Sequence, residues 1–368
     1  MHTQHHPRAT TTLIGLGKQE AQLLEQWYEG RFPHALLFSG PQGIGKATLA
    51  YRLARFILSG HAVIEDEAPS LFGDALAPIR HTTMAISADN AAAQRISSGS
   101  HPDLLVLAPE YDEKKAALKA EITVDATRKV GQLLSQTASE GGWRIVIIDP
   151  VDALNTNASN ALLKWLEEPP PQCLFLLISH QSGGLLPTIR SRCQTIGFGL
   201  QNDADFSELL GLQGVHASDS EVSLLHSLSG GSAGLACTLH YEHAERHYHE
   251  IIDMLAKGND SALLNYAEKM TSGKEAPSWA VTERLIRAML THCIKLSQSI
   301  IPEGLQPREM DVLRSLSARK SLDYWLEMWE NCTSLFKDAE RLHLNKKHAL
   351  LTVLFCLCGK DHVAAALR

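Results

Sequence analysis

Gly40 to Lys46 reads GPQGIGK, a spacing that carries the chemistry of phosphate binding. Gly40, Gly43 and Gly45 let backbone N–H groups turn inward around phosphate oxygens, Pro41 is compatible with that turn, and the Lys46 ammonium pairs with the terminal phosphates. Such loops place Ser or Thr after the lysine, where the hydroxyl binds Mg2+; here the residue is Ala47. Thr48 is no substitute, because one step along a helix rotates the side chain by about 100°. Asp149 ends the apolar run RIVII (144–148), placed to face the loop and hold magnesium through water. Pro150 follows, where a hydrolysing enzyme needs a carboxylate to activate water, and proline has neither charge nor proton acceptor. Asp152 reads as a cap of the next helix rather than a catalytic group. The expectation is a loop that binds ATP or ADP with a weakened magnesium site and little hydrolysis.

A further set of cations lies in TIRSRC (188–193). Arg190 and Arg192 can be ordinary surface cations, or one can be an arginine finger that reaches a neighbouring subunit's gamma-phosphate with its planar fork of donors. Spacing leaves both readings open.

These residues need a scaffold. HALLF (34–38) leads into the loop, and Leu49, Ala50, Leu53, Ala54 and Ile57 follow at helical spacing, so strand, loop and helix surround the glycines. Residues 104–107, 144–148 and 174–179 are further buried-strand candidates. Val130, Leu133 and Leu134 mark one intervening helix. Another runs over about 157–168 with Leu162, Leu163, Trp165 and Leu166, and is stopped by Pro169-Pro170-Pro171. In this helix Glu167 and Glu168 sit at the unfavourable negative end, which a Lys164–Glu168 pair would offset. Strands alternating with helices to about Gly199 imply a parallel sheet covered on both faces, an α/β P-loop NTPase domain. Residues 59–100, rich in Ala, Ser, Asp and Gly, read as an irregular or mobile insertion. From Asp203 the pattern is helical, with Leu209, Leu210, Leu224, Leu225 and Leu228 before a break at Gly230-Gly231. From about 244 long helical patterns continue, among them 251–256, 282–297 and 348–358.

A chain of 368 residues, 44% hydrophobic, is too long for one ordinary core and implies two or three domains; with the pattern changes along the chain, three are expected: 1–200, 201–243 and 244–368. The formal net charge of -7 leaves no basic excess for a polyanion, so contact with nucleic acid must be local or shared with partners. The seven cysteines include no C-x-x-C pair, which argues against zinc and against a disulfide framework and fits a reducing cytoplasm. The eighteen histidines form no H-E-x-x-H cluster, so no metal site is expected. MHTQHHPRATTT lacks the apolar stretch of a signal peptide, and no run approaches the roughly 20 apolar residues of a membrane span. A soluble cytoplasmic protein without membrane contact is expected.

Taken together, HALLFSGPQGIGKATLA, HPDLLVL, IDPVDALNTNASNALLKWLEEPP and LPTIRSRCQTI resemble the delta-prime family of the bacterial DNA polymerase III clamp loader, within the AAA+ proteins. The resemblance covers roughly the first 200 residues. It implies that 201–243 is a small helical lid and 244–368 an all-α collar that holds a ring together. It implies that Ser191-Arg192-Cys193 is the family's SRC motif, with Arg192 acting in trans on a neighbour's ATP. It also implies that Leu13-Ile14-Gly15 lies near the adenine pocket, and that Ser179 falls near the sensor-1 position, where a plain cap is the competing reading. Gly234, in GGSAG, stands where motor subunits carry a sensor-2 arginine. The family's four-cysteine zinc module has no counterpart in residues 59–101.

The implied function is that of a non-motor subunit that helps load a sliding clamp on primed DNA, with gamma/tau and delta subunits as partners. Any enzymatic activity would belong to the polymerase holoenzyme. A gamma/tau-type motor that hydrolyses its own ATP through Lys46 and Asp149 is the alternative. A branch-migration or repair loader would need its own DNA-binding module, and no basic module is found near the C-terminus.

Overall fold

The computed structural model describes residues 6–60, 80–112, 117–118, 121–139, 142–272 and 276–360. The chain divides into two compact units, residues 1–201 and 202–368.

In the first unit, β1 (Ala35–Ser39), β2 (Leu104–Leu107), β5 (Arg144–Ile148), β6 (Cys173–Ser179) and β7 (Gln194–Gly197) form a five-stranded parallel sheet in the order β2-β5-β6-β1-β7. A separate antiparallel pair joins β3 (Tyr111–Asp112) to β4 (Ala117–Leu118). The central strands are apolar on both faces because helices cover both, as parallel sheets require. Alternation along each strand then sorts side chains into two cores. Leu36, Phe38, Ile145, Ile147, Leu174 and Leu176 pack on one face, with α1 (Gly17–Tyr28), α2 (Lys46–Leu58) and α3 (Ala91–Ser98). Ala35, Leu37, Val146, Ile148, Phe175 and Leu177 pack on the other, with α4 (Val124–Ser135), α5 (Thr156–Glu167) and α6 (Pro187–Arg190). The expected α/β P-loop architecture is therefore present.

Two parts of this unit differ from the sequence reading. The edge strand β7 went unread because QTIG has one buried side chain, Ile196, and too short an apolar run to show a period. Within the stretch 59–100, expected to be irregular, residues 91–98 form α3: Asn90 caps it by accepting from the Ala92 and Ala93 N–H groups, and Gly99 ends it. Residues 61–79 of that stretch lie outside the described residues.

Beyond Gln201 the described elements are helices: α7 (Asp203–Leu212), α8 (Asp219–Ser229), α9 (Ala233–Tyr241), α10 (Ala244–Lys257), α11 (Asp260–Ser272), α12 (Trp279–Ser297), α13 (Pro307–Ser317), α14 (Leu322–Arg341) and α15 (Lys346–Leu357). Side chains between the helices expected as a lid (201–243) and those expected as a collar (244–368) form one continuous apolar core. Phe206, Leu225 and Leu239 share it with Tyr248, Leu285, Trp325 and Phe336. No helix among the described residues is long and apolar enough to cross a membrane.

Candidate functional site

The glycine loop occupies the turn between β1 and α2, and two of its glycines are required by what surrounds them. A Cβ on Gly40 would collide with the Phe198 carbonyl oxygen just beyond β7, so only glycine lets the loop leave β1 against that edge. Gly45 holds φ +93°, a left-handed conformation that side chains resist, and an added Cβ would also stand 3.0 Å from the Leu16 side chain. Helix α2 begins directly at Lys46, with no side chain capping its first turn, which leaves N–H groups and the positive helix end facing the loop. Gly43, at φ +79°, and Pro41 complete the turn. Ala47 and Thr48 are half-buried in the first turn of α2.

Lys46 is almost wholly buried and folds back over the loop, donating from Nζ to the Gly40 carbonyl at 2.7 Å and to the Pro41 carbonyl. Burial drives its ammonium down to about 8, against the opposing attraction of Asp149 and Asp152. Asp149 follows β5, its N–H donating to the Leu107 carbonyl at 2.9 Å. Burial pushes its carboxyl up to about 6, although Lys46 pulls the other way. The Asp149–Pro150 peptide is cis. The sheet thus brings Lys46 and Asp149 into one electrostatic neighbourhood although β6 lies between their strands.

Asp152 does not cap the next helix. Asn155 does so, its side chain accepting from the Ala158 N–H at 2.9 Å. Asp152 instead ties down the end of β6, accepting from Ser179 Oγ at 2.8 Å and from the His180 backbone N–H at 2.5 Å. A cap and a cross-strand tie use the same acceptor chemistry, so only the fold separates them. Ser179 is fully buried through this bond. His180 was missed in the sequence. Its imidazole is held below its ordinary value, first by burial and then by Lys46, and its Nδ1 is buried without a hydrogen-bond partner among the described residues.

Leu13 and Leu16 pack into the core beneath this loop, and Gln19 donates to the Gly197 carbonyl at 3.4 Å. Two arginines that sequence reading passed over fix this N-terminal segment to α2. Arg52 donates to Glu20 at 2.7 Å, to the Thr11 carbonyl at 2.6 Å and to Thr83 Oγ1 at 2.9 Å, while Arg55 donates to the Arg8 carbonyl at 2.7 Å. Both are buried charges on a helix face that otherwise reads as a mixture of apolar and solvated positions.

Arg192 lies apart from this cluster. It follows α6, its Nη1 donating to the Thr188 carbonyl at 2.9 Å and to Ser191 Oγ at 3.4 Å, and its Nη2 pairing with Glu167 Oε1 at 2.7 Å. The expected Lys164–Glu168 pair is replaced by other contacts: Lys164 Nζ lies 5.3 Å over the Trp165 ring, and it is Glu167 that meets a cation. Arg190 is exposed, and Cys193 is half-buried. Gly234 sits in the first turn of α9 in the second unit, behind the Ser232 cap. No group of three or more His, Cys, Asp or Glu side chains able to hold a metal ion occurs among the described residues.

A DNA polymerase III subunit delta-prime from Pseudomonas aeruginosa is 35% identical over 224 residues, covering 61% of this chain and 61% of that protein. The subunit of the same name from Escherichia coli is 33% identical over 173 residues, 47% of this chain and 44% of that protein. The subunit tau of Bacillus subtilis is 32% identical over 192 residues, 52% of this chain and 29% of that protein. The chain thus spans less than two thirds of these relatives' lengths. A family model described as DNA polymerase III, delta subunit, matches residues 16–202, more than half of the chain, over the β-strands, the glycine loop and the SRC motif just described. The chain belongs to that DNA polymerase III subunit family.

Proposed function

We propose that the chain is a non-motor subunit of the delta-prime type in a bacterial replicative clamp loader. Its own P-loop holds ATP or ADP without turning it over, and Arg192 acts in trans on ATP bound by a neighbouring gamma/tau-type subunit. The observation that carries this reading is the environment of Asp149. The position after it is Pro150, and the next carboxylate, Asp152, is taken up by Ser179 and His180. A water beside a terminal phosphate would therefore lack the usual carboxylate base. Ala47 removes the hydroxyl that completes a magnesium site. The groups that remain suit phosphate: the buried Lys46 ammonium and the uncapped start of α2 are donors with no carboxylate bonded to them.

Partners follow from the same reasoning. A gamma/tau-type subunit would supply the ATP on which Arg192 acts, with a delta subunit as a further partner in the ring. The sliding clamp and primed DNA would be reached through the assembled complex, since a chain of net charge -7 is poorly suited to hold DNA alone. The retained Lys46 and Asp149, with the likeness to the Bacillus tau subunit, favour a second reading as a motor ATPase.

Turnover separates the two. The isolated chain is expected to hydrolyse ATP at background rate, and Arg192→Ala in a reconstituted loader to lower DNA-stimulated turnover about tenfold or more. Motor-rate hydrolysis by the isolated chain, abolished by Lys46→Ala, would select the motor reading. Unchanged loader turnover with Arg192→Ala would remove the trans role.

A further inference from the structure

Glu167 is the last residue of α5, where the unpaired carbonyls of the helix end make a carboxylate unfavourable unless a cation faces it. That cation is Arg192. Two of the acceptors on its guanidinium, the Thr188 carbonyl and Ser191 Oγ, are neutral and belong to the same short motif. Among the described residues Glu167 alone brings it a negative charge, and it comes from a different element. Its position is set by packing rather than by a loop, because Leu162 and Leu166 anchor α5 in the core and Asn155 caps its start.

Resting on the trans role proposed above, we infer that Glu167 restrains it: the carboxylate holds the Arg192 guanidinium on its own domain, and a neighbour's triphosphate must displace it before the arginine engages. Both Nη atoms have partners on this chain, so the arginine is not presented free to a neighbour. The Arg192 and Glu167 side chains are 34% and 48% exposed, and an ion pair this open to water is weak enough to release. A terminal phosphate carries more negative charge than one carboxylate and accepts from both prongs of the guanidinium, so it wins the arginine once the subunits close. Until then Glu167 neutralises the arginine and repels an approaching phosphate. Glu167 is in this sense a positioning residue that acts through Arg192.

The test uses the reconstituted loader with Glu167→Gln, which keeps shape and an acceptor but drops the charge. ATP turnover in the absence of DNA and clamp is expected to rise about two- to fivefold. The difference should shrink as ionic strength rises from about 0.05 to 0.5 M, because the restraint is an exposed ion pair. It should vanish when Glu167→Gln is combined with Arg192→Ala, a coupling that a merely structural glutamate would not show. A melting temperature within about 2 °C of the parent checks that the variant is folded. Unchanged or lowered turnover in Glu167→Gln overturns the restraint, as does a gain that persists without Arg192. If Arg192→Ala lowers turnover while Glu167→Gln changes nothing, only the restraint fails. If Arg192→Ala itself has no effect, the trans role fails with it.

Discussion

At the scale of single residues, the loop and the acid opposite it are charges held at a cost. Burial lowers Lys46 to about 8 and raises Asp149 to about 6, so each is less comfortable ionised in the folded chain than in the unfolded one. The sign for Asp149 follows. Its folded value lies above its ordinary 3.8, so its contribution to stability is fully present below about pH 4 and is lost as pH rises through about 6. At neutral pH the ionised carboxylate therefore destabilises. Asp149→Asn is expected to stabilise the chain by about 1–2 kcal/mol at pH 7.5 and to flatten the stability profile between about pH 4 and 6, as measured by denaturant titration across pH. Lys46 behaves in the opposite window: its buried ammonium costs stability below about pH 8, and the cost is relieved toward about pH 10.5. A bound phosphate group would offset the Lys46 cost directly, which is why a buried, carbonyl-bonded ammonium suits an anion site.

At the scale of elements, the site depends on how α1, α2 and the sheet edge are locked together. Glu20 on α1 accepts from Arg52 on α2, from Thr83 Oγ1 at 3.1 Å and from the Met84 N–H at 2.8 Å. Arg52 and Glu20 are only 10% and 12% exposed, so removing one partner strands the other in the protein. Glu20→Ala is expected to cost about 3 kcal/mol, read as a lowered urea midpoint, because it leaves the Arg52 guanidinium without its counter-charge. On the opposite face of the sheet, Arg144 performs a comparable task. It donates to the carbonyls of Leu134, Gln136 and Pro171, joining the end of α4 to the turn that enters β6.

At the scale of the whole molecule, each unit has a core of its own. The first is a two-sided sheet, and the second a set of helices whose buried side chains, from Phe206 to Cys358, share one apolar core. Residues 1–201 and 202–368, expressed separately, are each expected to unfold in one cooperative transition by circular dichroism. Separate transitions from 202–243 and 244–368 would contradict the shared core of the second unit. The segment of family similarity, 16–202, falls almost wholly in the first unit.

Much of the first unit was legible in the sequence because its signals are local. An apolar run before GPQGIGK, glycines at fixed intervals and leucines at helical spacing each report on a few consecutive residues, and the helix and strand they imply are those that form. The absences at Ala47 and Pro150 are equally local and could be read directly. What the tertiary structure decided are partnerships between residues far apart in the chain. Asp152 could cap a helix or tie a strand, the acidic end of α5 could be offset along the helix by Lys164 or from outside it by Arg192, and an arginine such as Arg52 could be solvated or buried against Glu20. Propensity is the same in either case, and the sheet order and the covering helices choose. The boundary expected at residue 243 depended on such long-range contacts too, because a core shared across it leaves no mark in the sequence on either side.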